Sequence, residues 1–205
     1  MRYIRMIAAG VAAVCCMGLF AGCSEKEPDF TKEEELPYGA TMRSNKNSFA
    51  VPMTYDRRFL DEEQVAVVAD LLGAVQNQDT ALFEQTTPDF YVSYQRDEVY
   101  KLDSTEELLA MFHDRLAEAA GDDFQFNMVL ITDISQDRNS GELADALVLF
   151  NSIYDGEGKF SDTLEEAWKL TVEWDFVYDN GTQYSVSEGE HMYLFRTADG
   201  YTVSF

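Results

Sequence analysis

Residues 168–178 alternate between apolar and polar side chains more regularly than any other stretch of this chain. The apolar positions are Trp168, Leu170, Val172, Trp174, Phe176 and Tyr178. The polar positions between them are Lys169, Thr171, Glu173 and Asp175. A period of two residues predicts a β-strand with one buried face. Asp179-Asn180-Gly181 follows directly, and this sequence is typical of the tight turn of a β-hairpin.

Several further segments predict strands, either from the same alternation or from a run of β-prone apolar residues. They cover residues 90–94, 98–102, 124–132, 144–154, 183–187, 190–197 and 201–205. The polar residues 135–141 predict a turn, and residues 155–164 predict a loop. Residues 49–55 also alternate, which predicts an edge strand docked against the sheet.

Three segments carry the signals of helices. The first begins at Asp61, because Gln64 follows three residues later in a capping-box arrangement and apolar residues then recur at helical spacing. A second, short helix covers residues 79–84 and ends before Pro88, since the residue ahead of a proline disfavours helical backbone. The third covers residues 104–120 and also opens with a capping box. Helices concentrated early and strands late predict an α+β fold, with N-terminal helices packed on one face of a curved, mainly antiparallel sheet.

This order of elements resembles the NTF2-like, or cystatin-like cone, superfamily. The resemblance is carried by Gln78-Asp79-Thr80-Ala81-Leu82-Phe83 and Pro88-Asp89-Phe90 after the first helix, by the single helix of residues 104–120, and by the closing hairpin Tyr193-Leu194-Phe195-Arg196 with Asp199-Gly200-Tyr201-Thr202-Val203. It covers residues 61–205, and the additional hairpin near Asn180 departs from the family pattern. The resemblance implies a cone-shaped sheet that can enclose a pocket. It implies no single activity, because this fold hosts isomerases, dehydratases, binding modules and transport adaptors.

The start of the chain resembles a bacterial lipoprotein precursor. Two arginines within the first five residues precede an uncharged, mostly apolar stretch over residues 6–20. This stretch is short for a membrane-spanning helix, which needs roughly 20 residues. Ala21-Gly22-Cys23 matches a lipobox, although Phe20 stands where that family usually has leucine. The resemblance implies export, cleavage before Cys23 and lipid attachment to its sulfur. A plain secretory signal or an uncleaved anchor is the alternative.

These patterns predict three parts of the chain. Residues 1–22 are the signal peptide, residues 23–58 are the acylated cysteine with a flexible acidic and polar tether, and residues 59–205 are a single domain. The expected location is extracytoplasmic, with the lipid anchor in a bacterial cell membrane. The sequence leaves open which membrane or leaflet holds the anchor.

Charge and cysteine content narrow the range of functions. The 205-residue chain has a formal charge of −23, which becomes −25 without residues 1–22 because these hold two arginines and no acidic residue. Such a charge argues against nucleic acid and against contact with an anionic membrane surface. It favours solubility through self-repulsion, with binding of cations or of a basic partner as the alternative. All three cysteines lie within residues 1–23, so the predicted mature domain has no thiol and no disulfide.

The predicted domain carries no strong catalytic or metal motif: P-loop, GxGxxG, HExxH and GxSxG sequences are absent from the chain. His113 and His191 are expected at exposed or edge positions, with a general base beside a carboxylate as the alternative. The segment of residues 133–139 alternates oxygen-bearing side chains like a calcium loop. It lacks the required glycine and glutamate, so a turn is expected. Asp122-Asp123 is expected to be solvated. We predict no catalytic residue, no cofactor and no metal.

The aromatic strand offers the only predicted pocket. In a cone fold Trp168, Trp174, Phe176 and Tyr178, together with Phe112, could line a ligand cavity; the alternative is an ordinary core. The expected function is a non-enzymatic module of the cell envelope that binds a small molecule or an envelope protein, with the membrane reached through its lipid anchor. The alternatives are an isomerase or dehydratase type of enzyme with a small hydrophobic substrate, and a structural scaffold that forms a homodimer through its sheet.

Overall fold

The structure is a computed structural model that describes residues 36–45, 47–177, 183–185 and 189–205, the stretch 183–185 by its backbone alone. The folded unit runs from Pro37 to Phe205. Residues 1–22, Cys23, Tyr178 and the predicted turn at Asn180 lie outside the described residues.

The strands form one open, mainly antiparallel sheet. They are β1 (Met42–Asn45), β2 (Met53–Asp56), β3 (Gln125–Ser135), β4 (Glu166–Val177), β5 (Gln183–Ser185), β6 (Glu190–Thr197) and β7 (Gly200–Ser204). Six of them lie in the order β1-β2-β3-β4-β6-β7, and the short β5 pairs with β4. Strands β2 and β3 are parallel, and the other pairs in this sheet are antiparallel. The α+β class and the strands predicted for β3, β4, β6 and β7 are confirmed.

The described residues form six α-helices and one π-helix, and the three predicted helices begin after their capping residues Asp61, Asp79 and Ser104. The helices are α1 (Glu62–Asn77), α2 (Thr80–Thr86), α3 (Asp89–Ser93), a π-helix (Tyr94–Tyr100), α4 (Thr105–Ala120), α5 (Gly141–Ile153) and α6 (Phe160–Thr163). The capping box before α1 is complete, because Asp61 Oδ1 accepts from the Gln64 N–H at 2.9 Å and Gln64 Oε1 accepts from the Asp61 N–H at 2.8 Å. Ser104 Oγ accepts from the Glu107 N–H at 3.2 Å and caps α4. Within the described residues, none of these helices has the length and apolar character needed to cross a membrane.

Residues 90–94 and 98–102 were predicted as strands, and this is wrong. Residues 90–100 lie in α3 and the π-helix, and residues 101–102 follow it. The Pro88 carbonyl accepts from the N–H groups of Tyr91 at 2.9 Å and Val92 at 3.1 Å. These local hydrogen bonds start a helical turn and replace the bonds that a strand would make to a neighbour. Tyr91 and Val92 pack into two different apolar clusters, so burial on two sides imitates the alternation of a strand.

Residues 144–154 were also predicted as a strand, whereas residues 141–153 form α5. Most apolar residues of this segment follow one another without a break, so the sequence shows neither the period of a strand nor that of a helix. In the helix Leu143, Leu147 and Phe150 lie on one buried face at the spacing of helical turns, while Val148 is 70% exposed. The predicted turn of residues 135–141 leads into this helix, where Asp137 accepts from the Asn139 N–H at 2.9 Å.

Apolar clusters cover both faces of the sheet. Helices α1, α2 and α4 pack on one face, as predicted for the N-terminal helices, and this cluster includes Trp168, Leu170 and Leu194. Helices α3, α5 and α6 pack on the other face with Ala167 and Phe195. Neighbouring strand residues point to opposite faces, so Leu194 and Phe195 each bury a side chain in a different cluster. The second layer was not predicted, because α5 was assigned to a strand.

Residues 37–58 belong to the folded unit, so the predicted tether extends too far along the chain. Val51, Met53 and Tyr55 are at most 2% exposed. Strand β2 is interior and not an edge, because β1 pairs with its outer side. The mainly polar sequence of residues 42–45 gave no signal of that outer strand. Residues 24–36 therefore lie in sequence between Cys23 and the start of this unit at Pro37.

A buried carboxylate holds this N-terminal segment in place. Asp56 is fully buried and accepts hydrogen bonds from the Thr41 hydroxyl at 2.6 Å, the Gly39 N–H at 2.9 Å and Arg58 Nη2 at 2.7 Å. Arg58 Nη2 also donates to the Pro37 carbonyl at 2.6 Å. The Arg58 guanidinium holds the pKa of Asp56 well below its usual range, against the opposing effect of burial.

Replacing Asp56 by Asn should destabilise the protein strongly. Removing one partner of a buried ion pair costs about 3 to 5 kcal/mol, and we expect a loss of this size in the free energy of unfolding, measured by urea denaturation at neutral pH. The pKa of Asp56 is lower in the folded than in the unfolded state. Its contribution is therefore full above the ordinary Asp pKa of about 3.9 and is lost as the pH falls below that value. Acidification should consequently weaken D56N less than the wild type.

The matched control is Asp97→Asn. Asp97 pairs with Arg96 through a 2.6 Å contact between Oδ1 and Nε, but 49% of its side chain is exposed. Solvent screens such a pair, so little stability should be lost. Equal losses in D56N and D97N, or the same acid sensitivity in D56N and wild type, would contradict the role given to Asp56.

Candidate functional site

A polar hollow of about 730 Å³ opens where α1 and α4 end beside the first residue of β3. Its wall contains four amides, one imidazole, three carboxylates and one phenyl ring. These residues are Gln76, Asn77, Gln78, His113, Asp114, Asp122, Asp123, Phe124 and Gln125. We call this site the polar hollow. Its volume lies within the range of small-molecule sites, about 300 to 1,000 Å³.

The end of α1 supplies the amide side of the polar hollow. Gln78 adopts a left-handed backbone with φ of 52°, and its N–H donates back to the Ala74 carbonyl, which ends the helix. Gln76 Oε1 accepts from the Phe126 N–H at 2.9 Å and so ties β3 to α1. Asn77 Nδ2 donates to the Gly73 carbonyl at 3.0 Å. These hydrogen bonds fix the amide side of the wall to the core.

The turn between α4 and β3 supplies the acidic side. Gly121 has a φ of 88°, which favours glycine, and its N–H donates to the Ala117 carbonyl at 2.7 Å. The Phe124 N–H donates to the Gly121 carbonyl at 3.2 Å. This tight turn leaves Asp122 and Asp123 exposed and returns Phe124 to the core, where it is 3% exposed. The expectation that the two aspartates are solvated is confirmed, and both also face the hollow.

His113 is buried against the turn, which corrects the prediction of an exposed position. The residue is 8% exposed, and its ring packs on Phe124 at a centroid distance of 5.1 Å. Its Nδ1 lies 3.5 Å from Asp114 Oδ1. The sequence did hold a signal, because His113 follows the buried Leu109 by four residues and so shares its helix face. Nε2 makes no hydrogen bond to any described protein atom.

The carboxylates of the polar hollow have no lysine or arginine partner among the described residues. Asp114 has one ion-pair contact, with His113, and neither Asp122 nor Asp123 pairs with a basic side chain of the described residues. Lysine and arginine do not occur in the wall. No group of three His, Cys, Asp or Glu side chains in the described part of the chain is placed to hold a metal ion. The carboxylates therefore give the hollow a negative potential without forming a metal site.

The predicted aromatic pocket residues lie elsewhere. Trp168, Trp174 and Phe176 are 2%, 5% and 0% exposed and belong to the core. The Nε1 atoms of both tryptophans are buried without a hydrogen-bond partner in the described structure. Phe112 packs against Phe83 at 6.1 Å and against Phe205 at 5.6 Å between ring centroids. None of the four lines the polar hollow.

The second histidine lies on the other side of the sheet. His191 Nδ1 is 3.5 Å from Glu142 Oε2, and the same carboxylate pairs with Lys169. His191 is half-buried and lies apart from the polar hollow, which matches the expected edge position in part. The two histidines therefore belong to different surroundings.

A second hollow of about 360 Å³ lies between the π-helix and the end of α5. It is lined by Phe90, Ser93, Tyr94, Asp97, Glu98, Ser152, Ile153 and Asp155. Of its three carboxylates, Asp97 is already paired with Arg96. The polar hollow is larger, and none of its three carboxylates pairs with a lysine or arginine of the described residues, so it is the stronger candidate for a binding site.

Comparisons with known proteins return no relative. No family model matches the chain, no curated protein matches its sequence, and no solved structure matches its fold.

Proposed function

We propose that this protein is a bacterial cell-envelope lipoprotein whose folded unit binds a small polar ligand in the polar hollow. One observation carries the binding proposal: the hollow combines enough volume for a small molecule with a wall of amides, carboxylates and a buried imidazole. In small-molecule sites, placed polar groups in a concave surface fix the orientation of the ligand. The aromatic side chains of β4 would suit a hydrophobic ligand, but they are buried in the core. The polar wall of the hollow suits a polar ligand instead.

The resemblance of Ala21-Gly22-Cys23 to a lipobox supports the anchor. If Cys23 is acylated, residues 24–36 join the lipid to the folded unit at Pro37. The strong negative charge keeps the unit off an anionic bilayer. This arrangement leaves the polar hollow accessible to molecules outside the cytoplasm.

We also propose an NTF2-like origin for the fold. The order of α1, α2 and α4, followed by antiparallel strands that end in the β6–β7 hairpin, supports this origin. Helices α5 and α6 between β3 and β4 depart from the pattern and add a layer on the opposite face. In the cone resemblance a pocket lies inside the sheet, whereas the polar hollow lies at the ends of α1 and α4.

Binding is favoured over catalysis by the geometry of the polar hollow. The contact that would orient His113 as a general base is long, because Nδ1 is 3.5 Å from Asp114 Oδ1. The wall holds no serine, threonine, cysteine, lysine or tyrosine that could act as a nucleophile beside the imidazole. The amides, carboxylates and imidazole of the wall can donate hydrogen bonds to a ligand and accept hydrogen bonds from it.

The anchor is tested by Cys23→Ser. The wild type, expressed in a bacterial host with an azide-bearing fatty acid, should take up the label and sediment with membranes, because acylation of this sulfur supplies the anchor. C23S should take up no label. Cys15→Ser is the matched control and should behave like the wild type. Labelling that persists in C23S, or a wild type that takes up no label, would contradict a lipid anchor at Cys23.

Binding in the polar hollow is tested by Asn77→Trp, which places an indole in the space. The melting temperature of the wild type should rise with at least one compound in a panel of polyols, amino acids and amines, because a ligand that binds only the folded state stabilises it. The same compound should not shift the melting temperature of N77W. Glu106→Trp is the control at an exposed position of α4 away from the hollow. Shifts that persist in N77W, or a wild type that no compound stabilises, would contradict binding at this site.

A further inference from the structure

The second helical layer covers only part of its face of the sheet. Its apolar cluster includes Ala167 from the start of β4 and Phe195 from β6, but no residue of β1, β2 or β3. Met128 and Leu130 of β3 are half-buried and belong to neither apolar cluster. No helix of the described residues therefore packs an apolar cluster on this side of β1, β2, β3 and the second half of β4.

The register of the strands brings five side chains together in this uncovered area. Thr54 pairs with Leu130, and Leu130 pairs with Glu173, so these three form one row across β2, β3 and β4. Met128 pairs with Asp175 in the next row. The residues next to them along each strand point into the first apolar cluster, and successive strand residues point to opposite sides. We call the area formed by Thr54, Met128, Leu130, Glu173 and Asp175 the open face.

The open face combines apolar surface with negative charge. Leu130 lies beside Glu173 and Met128 beside Asp175, since residues in register have Cβ atoms roughly 5 Å apart. Neither carboxylate forms an ion pair with a basic side chain of the described residues, although both side chains are half-buried. Glu173 and Asp175 are two residues apart on one strand, which separates them by roughly 7 Å. The open face therefore carries two like charges close together beside apolar side chains.

These charges decide what can cover the open face. A second copy of this chain would bring its own Glu173 and Asp175 to the same interface, and the like charges would oppose the association. Nucleic acid and anionic lipid are repelled for the same reason. A protein segment with lysine or arginine supplies the opposite charge. An apolar side chain of such a segment also removes Leu130 and Met128 from water.

We propose that the open face binds a basic segment of a partner protein. Two lysine or arginine side chains of the segment, roughly 7 Å apart, pair with Glu173 and Asp175. An apolar side chain between them packs on Leu130 and Met128. No residue of the open face lines the polar hollow. Binding of the partner is therefore separate from ligand binding in the hollow, and a test of one does not test the other.

Photochemical crosslinking from Thr54 identifies what covers the open face. Thr54 is replaced by the photoreactive amino acid p-benzoylphenylalanine in the full-length protein, produced in the cells that naturally make it. After irradiation, mass spectrometry gives the sequence of the crosslinked peptide. We expect a segment of one partner protein with at least two lysine or arginine residues beside an apolar residue. The same photoreactive group at Glu106, an exposed position of α4, should not crosslink to that segment.

The charge contacts are tested in the protein that carries the photoreactive group at position 54. Glu173→Gln with Asp175→Asn should lower the yield of the crosslink about tenfold or more, because both charge-assisted contacts are lost. Glu106→Gln with Glu157→Gln removes the same charge at exposed positions outside the open face. This control should change the yield about twofold at most, because distant surface charges are screened. The melting temperature of each variant shows whether the fold is intact.

Three results would overturn the proposal for the open face. The first is a folded variant that gives no crosslink from position 54. The second is a crosslink to another copy of this chain or to a segment without basic residues, because the occupant would then be of a different kind. The third is an equal loss of yield in both double variants, which would mean that the partner responds only to the net charge of the protein.

Discussion

The central constraint of this fold is that strand β6 and the start of β4 carry apolar side chains on both faces. Trp168 and Leu194 face one side, and their neighbours Ala167 and Phe195 face the other. Exposing either side would leave large apolar surfaces in water. The sheet therefore needs two helical layers: α1, α2 and α4 on one face, and α3, α5 and α6 on the other. Covering the first face brings the ends of α1 and α4 together beside β3, which is where the polar hollow forms.

The hydrogen-bond network around Asp56 has a different role, at the end of the sheet formed by β1 and β2. It joins Gly39, Thr41 and Arg58 to β2, and thereby extends the sheet beyond β3 with two strands. The folded unit consequently begins shortly after the residues that would link it to a lipid at Cys23.

Local signals predicted much of this structure, and tertiary packing decided the rest. Caps such as Asp61 and Ser104 satisfy backbone groups within one turn, and the alternation of β4 reflects its own two faces, so both are visible in sequence. Helix α5 was missed because it is stabilised by packing on the second face of the sheet. That contact is not visible in the sequence of the helix itself. The polar hollow was missed because it combines the end of α1, one face of α4 and a turn. His113 alone carried a readable signal, through its spacing from Leu109.

The central claim is that a small polar ligand binds in the polar hollow, whose wall includes His113. The chain has two histidines, so nitrogen NMR of a protein labelled in its imidazole rings gives one probe in the hollow and one on the other face of the sheet. A compound that raises the melting temperature of the wild type should shift the ring resonances of His113 and leave His191 unchanged. The opposite result, in which His113 does not respond or both rings shift to the same extent, would contradict the account.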